Sequence, residues 1–427
     1  MKNLLLSISL LTISLIASAQ DDLKVMQYNL LNYGNITSYC TTTNNSMVDK
    51  EVFLRTIINY VQPDIFTVNE IASIDFVHNR VLDSVMNHSG QKTYLKANKI
   101  NTNGSDLVNM LYYNSAKLVY VSAESVQNVT RDIVLYRLYY NSPNLAQTHD
   151  TAWVNCIVGH LKAGSGSAEQ ATRASMTDNA MTYLVQHNLQ GNYLFMGDFN
   201  IQRNTETSYQ NLVNFSNPLY RFYDPINRSG TWNNSSSFAD IHTQSTHASS
   251  NGCASSGGMD DRFDFILASN DIMQGNAHVN YVSGSYKALG NDGNHFNQSV
   301  NSGTNTSAPA NIIDALYNMS DHLPVIMELH FDSQVATVEE SMDKLLRFNY
   351  QNPIGDLLNL NIESEIMEDL DIEIWSLNGQ VVLQKHLSQG TNSQTSISLF
   401  NLASGMYILR VNSSLGQNYH TAKIIKY

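Results

Sequence analysis

A series of short apolar runs, each carrying an acid, an amide or an imidazole at one end, constrains this chain more than any other feature. Asn29 ends Val25-Met26-Gln27-Tyr28-Asn29, and Glu70 ends the run from Asp64 through Val68 and Asn69. His160 ends Val158-Gly159-His160, and Asp198 and Asn200 follow Leu194-Phe195-Met196-Gly197. Asp264 begins Asp264-Phe265-Ile266-Leu267, and Asp321-His322 opens Leu323-Pro324-Val325-Ile326-Met327. Runs of this length and content read as strands. Helix-spaced stretches lie between them. Val52, Phe53, Ile57 and Ile58 give 49–60 the helical period, with Asp49 as the expected N-cap, and 169–188 is a second helix. Strands that alternate with helices specify an α/β domain, and such domains gather their chemistry at strand ends.

Further strands are expected at 65–68, 107–113, 119–122, 133–140, 153–160, 193–196 and 325–329, with long polar loops at about 227–260 and 286–311. The chain changes character after Asp332. Residues 333–344 read as a polar linker. From 345 to 427 short strands alternate with turns, among them the hairpin signal Asn378-Gly379, which makes a small all-β sandwich domain.

The N-terminus reads as a secretory signal over 1–19: Lys2, an apolar core from Leu4 to Ile16, and the small-residue site Ala17-Ser18-Ala19. Its apolar run is too short to span a bilayer, and no other segment is long enough, so stable membrane insertion is not expected. Export permits disulfides. Cys156 lies in an apolar strand and reads as a buried free thiol. Cys40 and Cys253 lie in polar loops; they could pair, though no spacing rule requires it. With a formal net charge of -13, the chain gains nothing from long-range attraction to a polyanion. Any binding to nucleic acid must rest on a local basic strip and on a metal.

Singly, each strand-end residue has an ordinary explanation as a turn former, a cap or a solvated group. As a set they are what metal-assisted hydrolysis of a phosphodiester needs. Carboxylate oxygens suit a hard cation, Mg²⁺ first, with Mn²⁺ or Ca²⁺ as alternatives. A base must activate water, and donors must meet the charge that grows on the phosphoryl oxygens.

Gln27-Tyr28-Asn29, Val68-Asn69-Glu70, Gly197-Asp198-Phe199-Asn200, Arg262-Phe263-Asp264-Phe265-Ile266 and Ser320-Asp321-His322-Leu323-Pro324-Val325 together resemble the ordered motifs of the endonuclease/exonuclease/phosphatase (DNase I-like) superfamily. The resemblance covers about 24–332, within a catalytic domain expected over 20–332, and implies a four-layer α/β/β/α sandwich. It implies Glu70 as principal Mg²⁺ ligand, with Asn29 and Asp321 in the metal shell. Asp198 would orient or deprotonate the attacking water, and Asn200 would hold a phosphate oxygen. His322 would be the acid/base, held in its tautomer by Asp264. Gly159-His160-Leu161-Lys162 resembles the motif that supplies a second histidine, which makes His160 a phosphate or leaving-group contact; which histidine is the base stays open. The function implied is a secreted nuclease, a monomer acting on DNA or RNA. A sphingomyelinase-like or small-molecule phosphodiesterase and a non-catalytic surface binding protein are the alternatives. Lys162, Arg173 and Arg203 read equally as phosphate contacts or surface charges, and Trp232 and Phe238 as buried under their loop. In 345–427, Asn352-Pro353, Leu377-Asn378-Gly379-Gln380, Leu402-Ala403-Ser404-Gly405-Met406-Tyr407 and the terminal Lys423-Ile424-Ile425-Lys426-Tyr427 resemble a type IX secretion sorting domain. That implies recognition by the type IX machinery and export from a Gram-negative cell. An Ig-like spacer or a carbohydrate-binding module is the alternative.

Overall fold

The computed structural model describes residues 21–90, 92–142, 145, 151–331, 346–350, 352–364, 369–388, 393–413 and 418–427. The expected signal segment 1–19 and the whole of the linker 333–344 lie outside the described residues. The chain divides into two compact units, Met1–Ser333 and Gln334–Tyr427.

In the first unit the elements run β1 (Asp21–Tyr33), α1 (Met47–Val61), β2 (Ile65–Ala72), α2 (Asp75–Arg80), β3 (Tyr94–Lys96), β4 (Leu107–Asn114), β5 (Leu118–Gln127), β6 (Ile133–Tyr140) and β7 (Trp153–His160). They continue with α3 (Ser167–Gln186), β8 (Tyr193–Asp198), α4 (Thr207–Val213), β9 (Phe222–Tyr223), β10 (Asp264–Ser269), α5 (Asn270–Gln274), β11 (Val279–Tyr281), β12 (Lys287–Ala288), α6 (Ala310–Met319) and β13 (Val325–Phe331). One sheet has the order β11-β13-β1-β2-β4-β3, with β12 also on β13; the other has the order β5-β6-β7-β8-β10-β9.

Side-chain alternation along the strands builds the layers. Val25 of β1, Ile65 of β2 and Met327 of β13 share one core with Val134 and Tyr136 of β6, Cys156 of β7 and Met196 of β8. This core lies between the sheets. The alternate residues Met26, Tyr28 and Leu30 pack instead with Leu54, Ile57 and Ile58 of α1 and Ile312 and Leu316 of α6. On the opposite outer face Leu135, Ile157 and Phe195 pack with Met176, Met181 and Leu184 of α3 and Leu212 of α4. Three cores separate four layers, helices outside and two sheets within, as the resemblance implies. Strands covered on both faces need apolar residues at nearly every position, which is why they stand out in the sequence.

Two local features differ from the expectation. Helix α1 is capped by Ser46, not Asp49: Ser46 is extended and its side chain accepts the Asp49 N–H at 3.3 Å. Asp49 lies in the first turn, where its charge favours the helix dipole. Ser46→Ala should cost about 1 kcal/mol of stability, measured as a lower midpoint in urea. Helix α6 lies outside the expected helices and begins at Ala310, inside the stretch read as the 286–311 loop; its buried stripe is Ile312, Ile313, Leu316 and Met319.

Strand direction explains why residues that begin strands share a rim with residues that end them. β1 and β2 are parallel and set Asn29 beside Asn69. β7 and β8 are parallel and set His160 beside Asp198. β10 runs antiparallel to β8, so its first residue, Asp264, lies beside Asp198. β13 runs antiparallel to β1, with Val325 opposite Gln27, so Asp321 and His322 arrive at the same rim. Cys40 and Cys253 are joined in a disulfide there, between the loops after β1 and before β10, and Cys156 is free and buried.

The second unit is built of two further sheets. β14 (Leu346–Asn349), β15 (Leu357–Ser364) and β18 (Ser393–Ser398) form one; β17 (Val381–Leu387), β16 (Leu370–Ser376), β19 (Gly405–Ser413) and β20 (Asn418–Lys426) form the other. Leu358, Leu360, Ile372, Ile374, Leu409, Val411 and Ile424 fill its core. Gly379 closes the β16–β17 turn at φ +76°, a conformation that suits glycine.

Candidate active site

The Gly-Asp-Phe-Asn turn is dictated by close approach. Gly197, at φ +144°, lies against the Gly159 carbonyl, and a Cβ there would sit 1.7 Å from that oxygen. A side chain would part β7 from β8. Phe199 stacks on Phe265 in the core at 5.1 Å between centroids. Asn200 follows in the left-handed region at φ +52°; its N–H donates to Asp198 Oδ1 at 3.1 Å and its Nδ2 to the Leu161 carbonyl at 3.4 Å.

Beneath this turn lies a buried amide. Asn69 Oδ1 accepts from Gln27 Nε2 at 2.6 Å and from the Asp198 N–H at 2.8 Å. Its Nδ2 donates to Asn109 Oδ1 at 2.7 Å and to the Gly159 carbonyl at 3.3 Å. Every hydrogen-bonding position of the carboxamide is used.

Asn29 Nδ2 donates to Glu70 Oε1 at 3.1 Å and to Asp198 Oδ2 at 2.9 Å. Its Oδ1 accepts the Leu31 N–H at 2.9 Å. Asn29 is thus a bridge between two carboxylates, and its oxygen serves the chain turn rather than the space between them. Glu70 stands at φ +57°, and its Oε2 accepts the Asn32 N–H at 3.0 Å. The Asn32 turn is held by Lys50, whose buried ammonium donates to the Leu30 and Leu31 carbonyls and to Asn45 Oδ1 at 2.7–2.8 Å. Burial pushes that ammonium down to about 7, against Asp321 and Glu70.

The two histidines are opposites. Arg131 donates to His160 Nδ1. A guanidinium has no acceptor, so His160 must carry its proton on Nε2. That nitrogen lies 3.8 Å from Glu70 Oε1 and 3.5 Å from Asp198 Oδ2. Burial first, then Arg131, hold His160 well below the usual imidazole range. His322 meets Asp264 Oδ2 through Nδ1 at 2.7 Å, and its Nε2 lies 2.6 Å from the Gln244 amide and 3.7 Å from Asp198 Oδ2. Burial alone would push His322 down; Asp264, Asp198 and Asp321 outweigh it and hold the ring well above its ordinary value. Burial pushes Asp198 up to about 7, with Asp264 and Glu70 adding to the effect against His322 and Asn29.

Asp321 is anchored through Oδ2, which accepts the Ser255 N–H at 2.9 Å, while its Oδ1 is buried without a donor. Asp264 Oδ1 is likewise unpartnered. Donor atoms of Glu70, His160 and Asp198 lie within 4.8 Å of one another. Glu70 and Asp198 at that spacing fit a hard divalent cation, and the unpartnered Asp321 Oδ1 is a further buried oxygen open to a ligand. The His160 tautomer makes its Nε2 a donor to an anion and not a metal ligand.

The structure thus brings Asn29, Glu70, His160, Asp198 and His322 together, with Asp264 behind His322 and Asn200 on the same turn; Asp321 adjoins through its neighbour. Sequence reasoning missed Arg131, Gln244 and Lys50. Arg131 had a signal: β6 and β7 pair antiparallel with Val134 opposite Val158, so residues just before β6 flank His160. Arg173 is no phosphate contact, since it is buried against Glu206 at 2.7 Å. Trp232 is buried, as expected.

No curated protein matches the chain significantly. Among solved structures, an endonuclease/exonuclease/phosphatase from Beutenbergia cavernae is 12% identical, with 95% of this chain and 99% of that one covered and a TM-score of 0.41. A protein described as endonuclease/exonuclease/phosphatase family from Bacteroides thetaiotaomicron is 14% identical over 73% and 96%, with a TM-score of 0.44. D. rerio TDP2 complexed with a single-strand DNA product is 12% identical over 72% and 98%, with a TM-score of 0.45. These overlaps transfer no residue role. The secretion system C-terminal sorting domain family matches residues 349–427, which directs the chain by the type IX route to the cell surface or the extracellular space. Among the described residues no helix is long and apolar enough to cross a membrane. Residues 349–427 are therefore a secretion-system sorting domain, and the unit that precedes them in the chain is a four-layer sandwich of two sheets between helices.

Proposed function

We propose that the protein is a secreted, divalent-metal-dependent phosphodiesterase whose substrate is nucleic acid, DNA or RNA. The observation that carries this reading is the meeting of opposite chemistries on one rim: Glu70 and Asp198 joined by Asn29, faced by Arg131–His160 and by His322–Asp264. Glu70 and Asp321 are the residues that would hold a cation such as Mg²⁺, which when bound offsets negative charge on the phosphoryl oxygens. His160 presents its Nε2 proton to a non-bridging oxygen, and Arg131 behind it adds positive charge where the substrate is anionic. Asp198 orients the attacking water. Asn200 contacts a phosphate oxygen. His322, held at Nδ1 by Asp264, transfers a proton at Nε2. Attack by water opposite the leaving oxygen yields a phosphomonoester and a free hydroxyl.

The test is a panel of plasmid DNA, RNA, sphingomyelin vesicles and bis(p-nitrophenyl) phosphate with Mg²⁺, Mn²⁺ or Ca²⁺. Cleavage of a nucleic acid that EDTA abolishes and added metal restores is the expected result. Turnover of the small diester with both nucleic acids untouched rejects the substrate assignment. A lipid phosphodiesterase is the second reading. It draws on Ile36 and Tyr39, which follow β1, and Ile74 and Phe76, which follow β2: all four are exposed, Ile36 by 68% and Phe76 by 60%. Choline-phosphate release without nucleic acid cleavage selects it. In either case Arg131→Ala should lower kcat/KM by about 10- to 100-fold, the scale of a lost charge-assisted hydrogen bond, with steady-state kinetics as the check.

A further inference from the structure

Resting on that reading for the identity of the site, we propose that the Cys40–Cys253 bond is a positioning element of the active site, which couples metal affinity to the oxidation state of the chain.

The bond joins two loops, and each loop grips one carboxylate of the site. On the first, Thr37 and Cys40 are hydrogen-bonded to each other through Cys40 N on Thr37 Oγ1 and Thr37 N on the Cys40 carbonyl, both at 2.8 Å. Asn45 continues that loop and donates to the Leu31 and Asn32 carbonyls at 3.1 Å each. Asn32 then presents its N–H to Glu70 Oε2. On the second loop, Asn251 Oδ1 accepts the Cys253 and Ala254 N–H groups at 2.9 Å each. The next residue, Ser255, gives its N–H to Asp321 Oδ2. One path from Glu70 to Asp321 therefore runs through the disulfide, beside a shorter one in which Asn29 bonds Glu70 and its carbonyl accepts from Ser320 Oγ at 2.7 Å.

Cys40 is buried, but the contact between the two loops is thin. A cavity of about 300 Å³ lies between the loops, lined by Asn44, Asn45 and Ser46 on one side and His247, Asn251 and Ala254 on the other. Across it the hydrogen bonds among the described residues are a reciprocal pair, Asn44 Nδ2 to the Asn251 carbonyl and Asn251 Nδ2 to the Asn44 carbonyl, both 3.2 Å and exposed. Exposed bonds of that length exchange readily with water and hold little. The cysteines are 213 residues apart in sequence, so once the bond is broken no neighbouring stretch of chain ties one loop to the other, while Lys50 still holds Asn45 and Ser245 Oγ still donates to the Ser255 carbonyl at 2.8 Å. Reduction by a dithiol breaks the S–S bond, leaves two protonated thiols and converts the reductant to its own disulfide. Before export the thiols stay reduced. The chain then binds its metal weakly and is quiet toward the cell's own nucleic acid; after export, thiol–disulfide exchange with a dithiol oxidase's disulfide closes the Cys40–Cys253 bond, leaves that oxidase as two thiols and sets the carboxylates.

The test is calorimetric titration of Mn²⁺ into the full chain in three forms: oxidised, treated with dithiothreitol, and C40S/C253S. Circular dichroism follows folding alongside. The expected result is a Kd raised about tenfold in the reduced and the double-variant forms, the scale for a lost support of a metal ligand, with the fold retained. C40S/C253S should ignore dithiothreitol. At saturating metal its rate on bis(p-nitrophenyl) phosphate should return to within about threefold of the oxidised chain, which a general loosening of the fold would not allow. A Kd within about twofold in all forms overturns the proposal, and so does unfolding on reduction, which would make the bond a plain staple. If the double variant fails to fold, the reduced wild type decides. An oxidised chain that binds Mn²⁺ but hydrolyses nothing sinks the phosphodiesterase reading and leaves this one judged on Kd; an oxidised chain that binds no Mn²⁺ overturns both.

Discussion

His322→Ala is expected to lower kcat/KM for a phosphodiester by about 10²–10⁴-fold, the usual contribution of a positioned acid or base, while metal affinity stays close to that of the wild type. The ring is fixed on one side by Asp264 at 2.7 Å, so its other nitrogen, 2.6 Å from the Gln244 amide and 3.7 Å from Asp198 Oδ2, is the one that would exchange a proton. Alanine removes the proton carrier and also strips Asp264 of its partner in a fully buried position. The melting temperature must therefore be measured beside the rate. His322→Asn is the companion variant, since it keeps a polar group near Asp264 without a titratable nitrogen. If both variants fold and either loses less than about tenfold, His322 is not the proton carrier.

Glu70→Gln should lower activity at fixed metal by about 10²-fold or more, and here the loss should appear in metal binding as well. Gln has the same shape and can still accept the Asn32 N–H, so the backbone at φ +57° has no new cause to move. What goes is the charge that makes the oxygen a ligand for a hard cation. Calorimetry with Mn²⁺ separates the two outcomes: an unchanged Kd with a slow enzyme would take Glu70 out of the metal site and leave it a role toward substrate alone. His322→Ala and Glu70→Gln thus differ in signature, the first in rate and the second in rate and affinity.

The strands that carry the site were legible because they are covered on both faces, which leaves an uninterrupted apolar run with one polar residue at its end. Ile133–Tyr140 and Trp153–His160 have the bounds expected from the text alone. Register was not legible. Nothing in the run before Asp264 says that β10 lies antiparallel to β8, or that Arg131 comes to rest on His160. Those facts depend on which strand pairs with which, a property of distant segments. The Cys40–Cys253 pairing was open for the same reason: composition placed both residues in loops, and only the meeting of those loops joins them. The cap of α1 was misplaced by three residues because Ser46 and Asp49 both suit a helix start, and the choice turns on the backbone at Ser46.

Asn69 addresses a different strand with each of its four bonds: Gln27 on β1, Asn109 on β4, Gly159 on β7 and Asp198 on β8. Two of these belong to one layer and two to the other. A slip of either layer by one residue would turn the wrong side chains inward and leave a dry carboxamide with no one to answer it. The molecule therefore has a built-in check on alignment: layers stacked out of step cannot settle, and the acids, amides and imidazoles of the rim face one another as soon as the chain has folded.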